Sequence, residues 1–127
     1  MDAKAYRGTG KLQYILEIGR HTIVTDVPEA LGGEDAGAEP HDLLGAALAG
    51  CTALTVTMYA RRKQWDVQDV QVRVEHEFKD GILSLTRHIH YVGSLDDEQR
   101  ARLTEIANKC PVHKMLSAQI QIETRAD

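Results

Sequence analysis

Aromatic residues are scarce in this sequence: one phenylalanine, one tryptophan and four tyrosines make up 5% of its 127 residues. A hydrophobic core must therefore be built mainly from leucine, valine, isoleucine and alanine. A chain of this length with few large side chains buries a modest apolar area, so we expect it to associate into oligomers. The length suits one domain, spanning residues 1–127.

An excess of basic residues is also missing. The 15 lysines and arginines are outnumbered by 19 acidic residues, which gives a net charge of -4. The basic residues are scattered along the chain, which argues against nucleic acid as the partner. The segment from Met1 to Arg7 lacks the apolar stretch of a secretory signal, so we expect a cytoplasmic protein. In that reducing compartment we do not expect Cys51 and Cys110 to form a structural disulfide, but they can serve as a transient catalytic pair.

The N-terminal third alternates in the manner of strands. Apolar residues of one parity run from Leu12 to Ile18, and a second short run covers His21 to Asp26. Residues 27–39 are rich in glycine and acidic residues and predict a loop. Pro40 then stands where a first helical residue would be, and the stretch from His41 to Gln64 predicts the longest helix.

This predicted helix carries no charge from Leu43 to Ala60, a length at the lower limit for a transmembrane span. Its alanine, glycine and threonine content, the missing aromatic belt and the flanking strand-like segments favour burial inside a protein core instead. We therefore expect no membrane association and a central buried helix that a second helix can approach closely.

Two alternating runs on either side of Asp80-Gly81 predict a β-hairpin with a two-residue turn. Its register pairs Val74 with Arg87 and His76 with Leu85. We therefore expect Arg87 and His76 on the apolar face of the hairpin.

The six histidines give only a weak indication of a metal site. His88 and His90 share the opposite face of the hairpin without an evident third ligand, and His76 is expected to form a hydrogen bond within the core. Phosphate-loop, dinucleotide-binding and nucleophile-elbow motifs are absent from the sequence. We expect neither a metal nor a cofactor.

The C-terminal third predicts two helices and a strand. Residues 96–99 have the spacing of a capping box, and apolar residues at helical spacing end at Cys110. Pro111 would end this helix and begin a short one over residues 111–115, and residues 118–124 would form a final strand. The order strand, long helix, hairpin, helix, strand indicates the α+β class.

The two cysteines differ in their local setting. Cys51 lies in an apolar helix, where cysteine usually acts as a small hydrophobic residue, and its reaction as a thiolate would require a cation or a hydrogen-bond donor from elsewhere. Cys110 precedes Pro-Val-His-Lys, and a helical turn there would place its sulfur near a helix N-terminus, close to His113 and Lys114. A buried cysteine that merely ends a helix is the alternative. The absence of a C-x-x-C pair leaves thioredoxin-like exchange and zinc ribbons unsupported.

Two motifs place these cysteines in a known family. Residues 40–52, PHDLLGAALAGCT, closely resemble the first-cysteine signature of the OsmC/Ohr family, named for osmotically induced protein C and organic hydroperoxide resistance protein. Residues 106–114, IANKCPVHK, resemble the second-cysteine motif. Residues 19–21, 26–28 and 58–63 are similar to the small OsmC-like branch, so the resemblance spans nearly the whole chain.

The resemblance implies an OsmC-like α+β fold, in which curved antiparallel sheets surround the long central helices of an intertwined homodimer. It also implies a thiol-dependent peroxidase. Cys51 would reduce an organic hydroperoxide to an alcohol and become a sulfenic acid, which Cys110 would resolve as a disulfide. An external dithiol would then reset the enzyme by thiol–disulfide exchange.

Family members commonly use an N-terminal arginine to stabilise the thiolate and a glutamate ten positions before the first cysteine to orient it. Arg20 is the expected arginine here, and Arg87 is a second candidate. The glutamate position holds His41, with Asp42 next to it. This departure keeps an alternative open, in which a non-catalytic OsmC-like protein binds a small ligand or senses oxidation.

Overall fold

The computed structural model describes residues 2–127. They form two compact units, one that ends at Leu44 and one from Gly45 to Asp127. The expectation that the chain is a single domain stays a prediction.

The N-terminal unit contains a three-stranded antiparallel sheet in the order β1 (Ala3–Arg7), β2 (Tyr14–Ile18), β3 (His21–Thr25). The alternating pattern predicted β2 and β3. The first strand was not predicted separately, because its short sequence has only small or amphipathic apolar residues and all five side chains are exposed. Gly19, with φ at 61°, forms the tight turn between β2 and β3.

The acidic, glycine-rich segment after β3 is a loop, as predicted, apart from a short 3-10 helix over Glu29–Leu31. Asp26 is buried at its start and accepts backbone N–H bonds from Val27 at 2.8 Å, Glu34 at 3.2 Å and Ala36 at 3.0 Å. These N–H groups lower the pKa of Asp26 because they favour the carboxylate over the acid, and the N–H of Ala36 has the largest effect. The Asp26 side chain therefore connects the start of this loop to residues in its second half.

The long helix α1 covers Asp42–Lys63. Pro40 and His41 form a turn before it, so Pro40 is not its first helical residue. One stripe is buried, at helical spacing: Gly45, Leu48, Thr52, Val56 and Ala60. By length and composition alone α1 could cross a membrane, but this buried stripe is typical of a core helix.

The prediction of a helix buried in the core holds for this stripe of α1, whereas its opposite face is exposed in the single chain. Leu54 is 65% exposed and Met58 55% exposed on a face that leaves the core. The physical reason is that the described chain supplies one layer of structure to α1, against its buried stripe.

The predicted hairpin is confirmed, with β4 at Asp69–Lys79 and β5 at Ile82–Val92. Asp80 and Gly81 have φ angles of 54° and 77°, the left-handed conformation that a two-residue turn requires. The register pairs Val74 with Arg87, as the turn length predicted.

The histidines of this hairpin take a different place from the one expected for His76. His76 pairs with Leu85 as predicted but is exposed rather than held in the core, because it lies in the turn end of β4, where every residue from Glu75 to Lys79 is exposed. His88 Nε2 lies 3.2 Å from Glu75 Oε1 on the opposite face.

Helix α2 spans Asp97–Ala107 and α3 spans Pro111–Leu116. The predicted capping box is present, since Asp96 accepts the Gln99 N–H at 2.7 Å and Gln99 Oε1 accepts the Asp96 N–H at 3.0 Å. The core of the second unit combines residues from α1, the hairpin and α2: Val56, Ala60, Val70, Tyr91, Leu103 and Ala107.

Two C-terminal predictions are wrong. Helix α2 ends at Ala107, so Cys110 does not close its buried stripe; it lies three residues further on as the N-cap of α3. Residues 118–124 form no strand. Their apolar alternation is real, but within the described chain no neighbouring strand pairs with them, and Ile122 is 87% exposed.

Candidate active site

Cys110 caps the N-terminus of α3 with its sulfur, a position that stabilises the helix and can also favour a thiolate. It is the N-cap of α3, with extended backbone angles, and its Sγ accepts the N–H of His113 at 3.3 Å. Pro111 follows as the first helical residue, where its missing N–H costs nothing. The side chain is 0% exposed. The sulfur therefore takes the place of the hydroxyl or carboxylate oxygen that usually caps a helix.

Cys51 approaches the same turn from α1. Its Sγ accepts the N–H of Val112, from the first turn of α3, at 3.5 Å, and lies 3.9 Å from Thr55 Oγ1. In contrast to Cys110 it is only partly buried, and both cysteines are free thiols. The sequence-predicted pair thus meets at one helix N-terminus, a setting that favours negative charge on sulfur.

Arg87 extends from β5 across the back of this turn. Its Nη1 donates to Thr52 Oγ1 at 3.0 Å and to the Ala107 carbonyl at 3.3 Å. Its Nη2 donates to Asn108 Oδ1 at 2.6 Å and lies 3.2 Å from His113 Nδ1. Because arginine only donates, Nδ1 of His113 must accept, which puts any single ring proton on Nε2.

These contacts join the guanidinium to all three helices around the cysteines. Every one of the four partners is a neutral acceptor, so no carboxylate neutralises the charge of Arg87 through its hydrogen bonds. The charge therefore remains available to an anion in the site.

The pKa of Cys110 reflects opposing effects. Burial acts to raise it, but the N–H of His113, the side chains of Cys51 and Thr52, and the charge of Arg87 all lower it. The net result is a pKa below the ordinary thiol value of 9.0. The donors and the charge of Arg87 therefore outweigh burial and favour the thiolate form of Cys110 more than water favours that of an ordinary thiol.

Thr52 links Arg87 to Cys110. Its buried hydroxyl donates to the Leu48 carbonyl at 2.7 Å, accepts from Arg87, and lies 4.0 Å from Cys110 Sγ. A thiol at Cys110 can donate to this oxygen, whereas a thiolate can accept from it once the hydroxyl turns away from Leu48. The hydroxyl can therefore accommodate either state of the sulfur.

Arg87 also lines a cavity of about 260 Å³ whose wall is about equally polar and apolar. Leucines from α1, β5 and α3 form much of its wall, and Arg87, His113 and Ser117 supply its polar groups. A small amphipathic molecule fits the chemistry of this lining.

The other predicted residues lie in the N-terminal unit. Arg20 is exposed in the turn between β2 and β3. His41 Nε2 lies 3.5 Å from Glu39 Oε2 and 3.7 Å from Asp42 Oδ1, so carboxylates flank the position that the family pattern gives to glutamate. The roles of Arg20, His41 and Asp42 in the cysteine chemistry stay predictions, as does the absence of a metal or cofactor.

Sequence reasoning missed two members of the site. Thr52 directly follows the first cysteine and Asn108 lies two residues before the second, so both belong to the cysteine motifs. Polar residues next to motif cysteines were a usable signal. Their hydrogen bonds with Arg87, however, form only when β5 is folded against α1 and the end of α2.

The family model described as OsmC-like protein matches residues 32–125. No curated protein matches the chain.

Several solved structures share the fold. The organic hydroperoxide resistance protein OsmC of Legionella pneumophila is 23% identical, with a TM-score of 0.66 over 91% of this chain and 88% of that one. The OsmC-like protein of Mycoplasma pneumoniae is 18% identical, with a TM-score of 0.75 over 91% and 85%. The organic hydroperoxide resistance protein OhrB of Bacillus subtilis is 21% identical, with a TM-score of 0.61 over 92% and 91%.

The mixed α+β architecture of antiparallel sheets and one long helix is the one these structures share. The family match extends over both cysteine motifs and over all of the second unit except its last two residues. The chain is a member of the OsmC-like protein family.

Proposed function

We propose that this protein is a thiol-dependent peroxidase that reduces organic hydroperoxides to alcohols. The observation that carries the proposal is the meeting of two free cysteines of unequal exposure at one helix N-terminus, with an arginine behind them. The relatives named for organic hydroperoxide resistance support the substrate class.

Exposure assigns the two roles. Cys51 is the partly exposed thiol, so a hydroperoxide can reach it, whereas Cys110 is fully buried. The Cys51 thiolate attacks the outer peroxide oxygen, the O–O bond breaks, and the alkoxide takes up a proton to leave as the alcohol. Cys51 is then a sulfenic acid, oxidised by two electrons.

Resolution uses the stabilised thiolate. Cys110 attacks the sulfur of the sulfenic acid, the S–O bond breaks, and hydroxide leaves as water after taking up a proton. The Cys51–Cys110 disulfide that results is reduced by an external dithiol, which carries away the two electrons that the peroxide removed. The charge of Arg87 stabilises the thiolate of Cys110. Arg20 remains the arginine that the family pattern assigns to the thiolate of Cys51.

We also propose that the protein acts as a homodimer in the cytoplasm. The exposed Leu54 and Met58 of α1 form an apolar face that a second copy would cover, and because Cys51 lies on the same side of the helix, that copy would line the approach to its sulfur. Leu54→Glu should shift the protein towards monomer in analytical ultracentrifugation, whereas Lys63→Glu, at the exposed end of the helix, should not. A wild-type monomer at all concentrations would contradict this part.

The decisive assay combines turnover with mass spectrometry. Purified protein with a dithiol should consume cumene or tert-butyl hydroperoxide over many turnovers, and Cys51→Ser should abolish consumption. After one equivalent of hydroperoxide, the reduced wild-type protein should contain an intramolecular Cys51–Cys110 disulfide. Cys110→Ser should stop at a sulfenylated Cys51. Wild-type protein that is inert towards every hydroperoxide would refute the proposal.

The cavity beside Arg87 favours a second candidate, a non-catalytic protein that binds a small amphipathic ligand while its cysteines report oxidation. That function predicts one round of oxidation without turnover. Steady multiple turnover would exclude it as the main role.

A further inference from the structure

We propose that the external dithiol enters the oxidised protein at Cys51, and that Cys110 leaves as a thiolate into the donors supplied by His113, Thr52 and Arg87. The proposal rests on the peroxidase cycle proposed above. It adds which of the two disulfide sulfurs is attacked, a choice that the cycle itself leaves open.

The first argument is access. A thiolate must reach the sulfur that it attacks, and Cys110 is fully buried while Cys51 is partly exposed. Attack at Cys110 would require α3 to open, because Cys110 is the N-cap of that helix. Attack at Cys51 requires no such opening, because a hydroperoxide must already reach that sulfur in the proposed cycle.

The second argument is the leaving group. Exchange is faster when the departing sulfur is stabilised as a thiolate. A thiolate at Cys110 regains the His113 N–H, seen at 3.3 Å in the reduced protein, and lies beside the hydroxyl of Thr52 at 4.0 Å. Arg87 donates to that same hydroxyl at 3.0 Å and brings a positive charge to the site.

A thiolate leaving at Cys51 would be stabilised by fewer and longer contacts. Its contacts are the longer N–H bond from Val112, at 3.5 Å, and Thr55 Oγ1 at 3.9 Å. Access and leaving-group stabilisation therefore favour the same sulfur for attack.

The step balances without an added acid. A dithiol thiolate attacks Cys51 Sγ, a new S–S bond forms to the reductant, the Cys51–Cys110 bond breaks, and its electron pair departs on Cys110. The second thiolate of the reductant then attacks the reductant's own sulfur in the mixed disulfide. This releases Cys51 as a thiolate and leaves the reductant oxidised by two electrons.

The test uses the full chain and a disulfide made without peroxide. Diamide oxidises the protein, mass spectrometry verifies the intramolecular bond, and 2-mercaptoethanol is added as a probe that cannot complete the second attack. Early samples are quenched in acid, free thiols are blocked with N-ethylmaleimide, and peptides are mapped. We expect several-fold more mercaptoethanol on Cys51 than on Cys110, with maleimide on Cys110.

Two variants examine the leaving group. Thr52→Val removes the hydroxyl beside Cys110 at nearly constant volume and should slow release of Cys110 several-fold. The matched control is Thr57→Val, the same change at a partly buried position of α1, which should leave the rate unchanged. The mapped label provides a readout that a purely structural role of Thr52 would not alter.

The outcomes separate this proposal from the peroxidase. Label on Cys110, equal label on both cysteines, or no intramolecular disulfide with diamide would overturn it. Label on Cys51 in a protein that does not turn over hydroperoxide would overturn the peroxidase and leave this inference standing.

Discussion

Arg87→Met is the substitution that most directly separates the electrostatic role of the guanidinium from its structural role. Methionine keeps an unbranched apolar side chain on β5 and removes every donor and the charge. The variant should lose stability, and the sulfur at Cys110 should hold its proton to a higher pH.

The loss of stability follows from the four contacts of Arg87. Two partners keep other bonds: the Ala107 carbonyl still accepts the Cys110 N–H at 3.3 Å, and Thr52 still donates to Leu48. Asn108 is exposed and can turn to water, and His113 is only partly buried. No group is therefore left buried and unpaired, and we expect about 2 kcal/mol, the contribution of roughly one hydrogen bond to a charged group.

The assay uses the Cys51→Ser background so that one thiol titrates. Urea unfolding gives the free energy of unfolding, and thiolate absorbance near 240 nm gives the titration midpoint of Cys110. Because the charge of Arg87 lowers the pKa of Cys110, the midpoint should move to higher pH in Arg87→Met. An unchanged midpoint with reduced stability would refute the electrostatic reasoning and leave Arg87 a structural residue.

Three further predictions concern stability. Leu103→Ala should lower the free energy of unfolding by about 3 kcal/mol, because Leu103 is fully buried in the core of the second unit and truncation leaves a cavity; a urea midpoint that does not fall would contradict that placement. Asp96→Ala should cost about 1 kcal/mol through loss of the α2 capping box, whereas Asp97→Ala, on the exposed first turn, should cost less. The lowered pKa of Cys110 means that its thiolate stabilises the folded state above the ordinary thiol value of 9.0, and that this stabilisation is lost as pH falls through the lowered value. The difference in unfolding free energy between wild type and Cys110→Ser should therefore widen as pH rises from neutral to 9.0, and a difference independent of pH would contradict the lowered pKa.

Sequence patterns predicted correctly those elements whose hydrogen bonds join residues close together in the sequence. The hairpin register follows from Asp80-Gly81 alone, because a two-residue turn fixes every pair behind it. That register also aimed Arg87 at the apolar face before any tertiary contact was known. The capping box at Asp96 was equally readable, since both partners lie within four residues.

Predictions that depended on distant partners were less accurate. Residues 118–124 alternate like a strand, yet a strand needs a second backbone, which sequence periodicity cannot supply. The end of α2 was placed too late because Cys110 continues the apolar spacing although the helix has already stopped at Ala107. Thr52 gained its role only by meeting Arg87, 35 positions away in sequence.

The capping position of Cys110 has a consequence for the backbone as well as for the sulfur. A six-residue helix is too short to persist in water on its own, so α3 depends heavily on what fixes its first turn. Forming a disulfide redirects the lone pairs and torsion angles of that capping sulfur. The His113 N–H would therefore lose and regain its sulfur acceptor in each turn of the proposed cycle, and its amide hydrogen exchange would record the redox state of the protein.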